Sequence, residues 1–159
     1  MNAVSMNEAR TIQTHLVLPP DTNHHGSIFG GKVLAYIDEI AGIASMKHAR
    51  GNTVTASIDS VDFVSSAYAG DVLELEAVVA STGRTSMEIY VRVNALNLVT
   101  GTTRLTTESF VTMVAIDEQG KPREVPGVFP ETEADKRLFK TAPGRRAHRN
   151  AKRALESHK

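Results

Sequence analysis

No cysteine occurs anywhere in the chain, which excludes disulfides, thiolate metal sites and a cysteine nucleophile and fits a reducing compartment. Tryptophan is missing as well. Aromatic residues make up 5% of the 159, a poor supply for the base-stacking surface of a nucleic-acid binder, so no nucleic-acid partner is expected. No apolar run approaches the roughly eighteen residues of a membrane span, and Met1 to Arg10 has no signal-like apolar core; a cytoplasmic location without membrane contact is expected. Several catalytic patterns are absent too. The serine-hydrolase elbow needs Gly-x-Ser-x-Gly, but Ser27 has His25 and Phe29 at the glycine places. Glycine-rich dinucleotide and phosphate loops do not occur. His24 and His25 are adjacent, with no third ligand at helical or strand spacing, so they read as loop residues and no metal site is expected.

The net charge is zero, with 18 basic and 18 acidic residues, yet the charges are unevenly spread: residues 131–159 hold nine Lys and Arg against four Asp and Glu. The tail is basic and the body acidic. A content of 41% hydrophobic and 23% charged residues suits one globular domain with its own core.

What is present centres on residues 23–48. Asp21, Thr22, Asn23, His24 and His25 follow Pro19-Pro20 and read as exposed turn chemistry. From Gly30 the pattern becomes helical, because Val33, Ile37, Ile40 or Ala41, and Ala44 recur at three- and four-residue intervals. Beside this core stripe runs a second one, Gly31, Ala35, Asp38, Gly42 and Ser45. Every member but Asp38 is small, which lets a backbone or a narrow ligand approach a single carboxylate. Gly30-Gly31 opens the helix, where free backbone N–H groups and the helix dipole favour negative charge such as a developing oxyanion. The bland alternative is a tight loop-to-helix joint and a solvated aspartate. Eight residues from Gly30 to Asp38 span about 12 Å of helix, too far for both to meet one carbonyl. If they cooperate they come from two chains, so a two-fold dimer with two interface sites is expected.

The remaining elements follow from alternation and turns. A strand is expected within residues 9–18, ending at Pro19. Thr53 to Val64 alternates and then slips near Ser60, the mark of a bulge. Further strands are expected at Val72 to Ser81, Met87 to Ala95 and Thr103 to Ile116, joined by Gly70-Asp71, Gly83-Arg84 and Thr100-Gly101. Short connections make them antiparallel neighbours, and a helix of about five turns has only this sheet to bury it. The fold class is therefore α+β, a strongly curved antiparallel sheet around a central helix over residues 1–130. Residues 117–130, with three prolines, read as irregular. Glu131 to Lys140 reads as a short helix that Ala142-Pro143-Gly144 breaks, and Arg145 to Lys159 as a final basic helix or a frayed tail.

The string Asn23-x-x-Gly26-x-x-Phe29-Gly30-Gly31 followed by Asp38 resembles the active-site signature of the hotdog-fold acyl-CoA thioesterases, in particular the group of brain acyl-CoA hydrolase and its bacterial relatives. Thr53 to Phe63, Gly70-Asp71, Gly83 to Ile89 and Val128 to Glu133 extend the resemblance over about residues 10 to 140. It implies a five-stranded sheet wrapped round a long helix, homodimers with shared sites and continuous sheets, and trimers of dimers. It implies Asp38 as the catalytic carboxylate, acting as general base or as nucleophile, with Asn23 of the opposing subunit positioning water or thioester and Gly30-Gly31 polarising the carbonyl. Substrate contacts are expected from Phe29 and Phe63 and, for coenzyme A, from Gly83, Arg84, Thr85 and Ser86. Ser57 or Thr55 is expected near Asp38, with ordinary strand polarity as the alternative. The basic tail (Arg145, Arg146, Arg149, Lys152, Arg153) is a second candidate for the phosphates, against a solvated or subunit-packing extension. Acyl-CoA is then substrate, and no further cofactor is implied. Two rivals remain: a hotdog dehydratase, disfavoured because Ile37 and Glu39 rather than histidine flank Asp38, and a non-catalytic acyl-CoA sensor.

Overall fold

The computed structural model describes residues 1–157. Two short elements open the chain, strand β1 (Val4–Ser5) and helix α1 (Met6–Ala9), before strand β2 (Thr11–Leu16) runs to the prolines. Helix α2 covers Gly30–Ala49, ending at Arg50 in the left-handed conformation (φ 57°), where the Arg123 guanidinium donates to the Ala49 carbonyl over 2.8 Å. A Cβ at Gly51 would come within 2.6 Å of that guanidinium and would push it off the helix end. Strands β3 (Thr53–Phe63), β4 (Val72–Thr82), β5 (Ser86–Leu96) and β6 (Thr103–Ala115) follow, then β7 (Val128–Phe129) and helix α3 (Glu133–Glu156).

Five strands form one antiparallel sheet in the order β2-β4-β5-β6-β3, so β2 and β3 are its edges. Helix α2 packs against all five of its strands, the arrangement expected of the hotdog fold. The inner face of the sheet, including Leu73, Leu75, Ile89, Val91, Val93 and Val111, meets Val33, Ile37, Ile40, Ala41 and Ala44 of the helix. Ile37 and Ile40 are wholly buried, each stabilising the pair of layers by about 1.5–3 kcal/mol. The anticipated core stripe of α2 is the observed one.

Strand β3 is bulged twice, with register shifts against β6 between Thr55 and Ser57 and between Ile58 and Ser60. The first shift has a direct consequence for side-chain direction. Residues two apart on a regular strand share a face, but the extra residue Ala56 puts Thr55 opposite buried Met113 on the helix side and Ser57 opposite Thr112 on the outer side.

Two expectations fail here. Residues 117–130 are not wholly irregular, since Val128–Phe129 pairs in parallel with Val4–Ser5, a ladder too short to leave a period in the sequence. Pro143 does not end a helix: α3 runs through it unbroken. Proline inside a helix costs roughly 3 kcal/mol, and the anchoring of α3 to the outer face of the sheet offsets it. Arg145 and Arg149 bond Glu88 of β5 from beyond the proline, and Arg145 also donates to the Leu138 carbonyl before it, at 2.7 Å. The start of α3 is tied down by Arg10, which bonds both Asp135 and Glu76.

Candidate active site

Helix α2 begins without a side-chain cap: its N-cap is Phe29, in an extended conformation, so the first N–H groups of the helix have no side-chain acceptor there. A Cβ on Gly31 would meet nothing within 4 Å, and one on Gly30 would touch the Phe63 ring at 3.5 Å. Phe29 and Phe63 are both half-exposed around this terminus. Gly31, Ala35 and Asp38 lie exposed along one face of α2, the face of the small-residue stripe.

Among the described residues Asp38 is held by one partner. The Thr55 hydroxyl donates to its Oδ1 over 2.7 Å, which leaves Oδ2 free to accept a further proton donor. Of the two strand hydroxyls expected near Asp38, Thr55 reaches it from the unshifted start of β3, and the bulge that follows turns Ser57 away. Ser57 faces the other way and donates to Asp59 at 2.6 Å.

Asn23 closes the loop before the helix. Its Oδ1 accepts from the His25 N–H and its amide meets the Ser27 hydroxyl, while Gly26 takes the left-handed turn (φ 79°) that the loop requires. Within one chain its side chain bonds this loop and not Asp38. The loop is fastened to the sheet connection by the Ile28 N–H, which donates to the Ala67 carbonyl at 2.8 Å.

The β4–β5 hairpin lies elsewhere on the surface, under α3. Gly83, Thr85 and Ser86 line a cleft of about 650 Å³ together with Arg146, Asn150 and Arg153. A Cβ at Gly83 would come within 2.9 Å of the Arg146 guanidinium and 2.6 Å of the Ser86 hydroxyl, so it would displace side chains that line the cleft. Arg146 and Arg153 make no ion pair among the described residues. Arg84 turns the other way, its exposed side chain 3.6 Å from Glu124. The Gly83 hairpin and Arg146, Arg149 and Arg153 of the basic tail thus line one cleft, and Arg84 is not among its lining residues.

Beneath α3 is a buried charge cluster. Glu88, with its side chain 1% exposed, accepts from Arg145 and from Arg149 at 2.6–2.8 Å. Burial, the largest single influence, pushes the Glu88 carboxyl up; the bonds and charges of Arg145 and Arg149 together outweigh it and hold the group below its ordinary value. Tyr90 is pushed up by burial and by its bond to Glu108 at 2.8 Å. Alternation along β5 puts Glu88 and Tyr90 on its outer face, and the packing of α3 there buries the glutamate. Among the described residues no group of three metal-ligating side chains converges, and no helix is long and apolar enough to cross a membrane.

Residues 25–114 match the family model of the thioesterase superfamily, and an uncharacterised acyl-CoA thioester hydrolase of Bacillus subtilis is 46% identical over 92% of this chain and 86% of its own. This chain belongs to the thioesterase superfamily. Within the superfamily, the crystal structure of an apo-hexameric acyl-CoA thioesterase is similar, with a TM-score of 0.95 and 64% identity, covering 98% of this chain and 99% of the other. The acyl-CoA hydrolase of Staphylococcus aureus, in complex with butyryl coenzyme A, coenzyme A and coenzyme A disulfide, has a TM-score of 0.93 and 43% identity over 97% and 94% of the two chains. The S. aureus hydrolase is also known in three mutant forms. An aspartate, an asparagine 15 residues before it and a threonine 17 residues after it are each replaced by alanine. Asn23, Asp38 and Thr55 have the same separations here.

Proposed function

We propose that the protein is an acyl-CoA hydrolase that converts acyl-CoA and water into a free acid and coenzyme A, with Asp38 as its catalytic carboxylate. The observation that carries this reading is the Thr55 to Asp38 hydrogen bond: it orients an exposed carboxylate on a face lined by small residues and leaves one oxygen free for chemistry. Asp38 takes a proton from the attacking water, a role worth about 10²- to 10⁴-fold, or attacks the thioester itself and passes through an anhydride that water then cleaves. In either route the carbonyl oxygen gains negative charge. The N–H groups at Gly30-Gly31 are the donors suited to it.

Those donors and Asp38 are about 12 Å apart along one helix, so the reading includes a homodimer in which each site joins Asp38 of one chain to Asn23 and Gly30-Gly31 of the other. Three such dimers make the hexamer of the reading, and the hexameric state of the similar thioesterase supports it. Phe29 and Phe63 flank the acyl path. The adenosine phosphates of coenzyme A lie against Gly83, Thr85, Ser86, Arg146 and Arg153, a cleft with two uncompensated guanidinium groups and hydroxyl donors. Residues 1–130 form the hotdog unit, with α3 as its extension, and the enzyme works in the cytoplasm without a metal or further cofactor.

The test is thiol release from acetyl-, hexanoyl- and palmitoyl-CoA, for which a cysteine-free protein gives no background. Native protein is expected to turn over at least one chain length, and Asp38→Asn to lose about 10²-fold or more in kcat at an unchanged assembly mass. Native-like turnover by Asp38→Asn refutes the assignment. Saturable coenzyme A binding without any turnover by the native protein would make it a sensor.

A further inference from the structure

We infer that Arg104 is a positioning residue for the half of the site that Asn23 and Gly30-Gly31 provide: it clamps the β3–β4 connection on which their loop is laid. The inference rests on the proposed shared site, in which that half serves Asp38 of the other chain. The Asn23 loop is a small ladder of its own. The Asn23 N–H donates to the Ser27 carbonyl at 2.8 Å, and Thr22 bridges Ile28. On the far side of Ser27 and Ile28 runs the connection between β3 and β4. Ser27 bridges Tyr68, the Ile28 N–H donates to the Ala67 carbonyl at 2.8 Å, and the Ala69 N–H donates to the Gly26 carbonyl at 3.4 Å. Residues 67–69 are therefore the surface that sets the height and angle of the loop.

Backbone bonds anchor that connection at its two ends. The Val64 and Ser65 N–H groups donate to the Thr106 carbonyl, while Gly70 and Asp71 exchange bonds with Val17. Its middle is held by a side chain. Arg104, at the start of β6, donates to the Ser66 carbonyl and, at 3.0 Å, to Asp71 Oδ2, and its guanidinium lies 5.8 Å from the centre of the Tyr68 ring. Asp71 is buried, and the same Oδ2 accepts the Tyr68 N–H at 2.9 Å, so a charge-assisted pair of the stronger kind sits at the turn. One guanidinium thus fixes both flanks of Ala67 and Tyr68, the residues that meet Ile28 and Ser27. Ser66 and Ala67 also line a cleft of about 370 Å³ with Ile28, Gly30 and Phe63, so the same hold sets the wall beside the helix terminus. Arg104 lines neither this cleft nor the one at Gly83. Its effect is on placement, and misplacement of about 1 Å can cost a reaction up to about 100-fold.

The experiment is subunit mixing, because a role confined to one half of the site dictates which partner restores it. Arg104→Ala is expected to lower kcat for hexanoyl-CoA about tenfold, and Arg104→Lys, which keeps a charge beside Asp71, to recover part of the loss. Arg104→Ala is then unfolded and refolded in equal amounts with Asp38→Asn and, separately, with Asn23→Ala. In the first mixture about half the dimers are mixed, and one of their two sites joins an intact Asp38 to an intact Asn23 loop, so about a quarter of native activity is expected. In the second every site keeps a damaged loop, and activity is expected to stay near about a twentieth of native. A native kcat for Arg104→Ala, or equal activity in the two mixtures, overturns the inference. If Arg104→Ala does not assemble like native protein, Arg104→Gln, which keeps most of the side-chain volume without the charge, goes through the same mixing with the same order of the two mixtures expected. Two references separate the levels. Activity retained by Asp38→Asn alone sinks the proposed function, and no recovery between Asp38→Asn and Asn23→Ala sinks the shared site together with this inference. With both references as expected, equal activity in the two Arg104→Ala mixtures refutes the positioning role alone.

Discussion

Glu88 is where a single residue governs most of the outer face. Its carboxylate is buried under two guanidinium groups, and removing its charge leaves Arg145 without a carboxylate partner and Arg149 with Asp59 at 3.9 Å, so Glu88→Gln is expected to destabilise the fold by about 3 kcal/mol, read by urea denaturation at pH 7. The direction of its shift fixes the pH dependence. A carboxyl held below its ordinary value of 4.5 when folded contributes stability that is fully present above that value and is lost as the pH falls through the lower folded value. Native stability should therefore drop below about pH 4.5 more steeply than that of Glu88→Gln, and parallel acid titrations of the two would contradict the assignment. Residue by residue, the sequence was most informative where chemistry and spacing coincide. Asp38 stood out as the only charge in a stripe of small residues. Thr55 and Ser57 could not be told apart, because they share a face in any regular strand and only the bulge at Ala56 separates them.

Among the elements, α2 was legible nearly to its ends, since its burial pattern is the 3.6-residue repeat itself. Helix α3 was not. Its proline is a local veto that tertiary contacts override, and those contacts come from Glu88 and Asp59, far away in sequence. Once α3 is continuous it brings Arg146 and Arg153 over the Gly83 hairpin, and the proposed phosphate contacts of the tail can be measured there. In the double variant Arg146→Ala with Arg153→Ala, KM for hexanoyl-CoA is expected to rise about tenfold or more with kcat little changed, as for the loss of charge-assisted bonds to phosphate. The same variant should treat hexanoyl-pantetheine, which lacks the nucleotide, like native protein. An equal KM effect on both thioesters would move the phosphates away from this cleft.

At the scale of the whole molecule, the proposed site is spread over surfaces that one chain leaves apart. Asp38 is exposed, Asn23 bonds its own loop, and the edge strand β3 leaves Val54, Ile58 and Phe63 partly uncovered. These features fit burial against a second copy across a two-fold axis. If two chains build each hydrolytic site, variants that each lack one half complement one another. Asp38→Asn and Asn23→Ala, each nearly inactive alone, are unfolded together, refolded as a mixture and assayed for thiol release from hexanoyl-CoA. Random pairing gives mixed dimers in about half the population, each with one intact site of two, so about a quarter of native activity should return. Two inactive variants that assemble together and regain nothing would contradict the shared site.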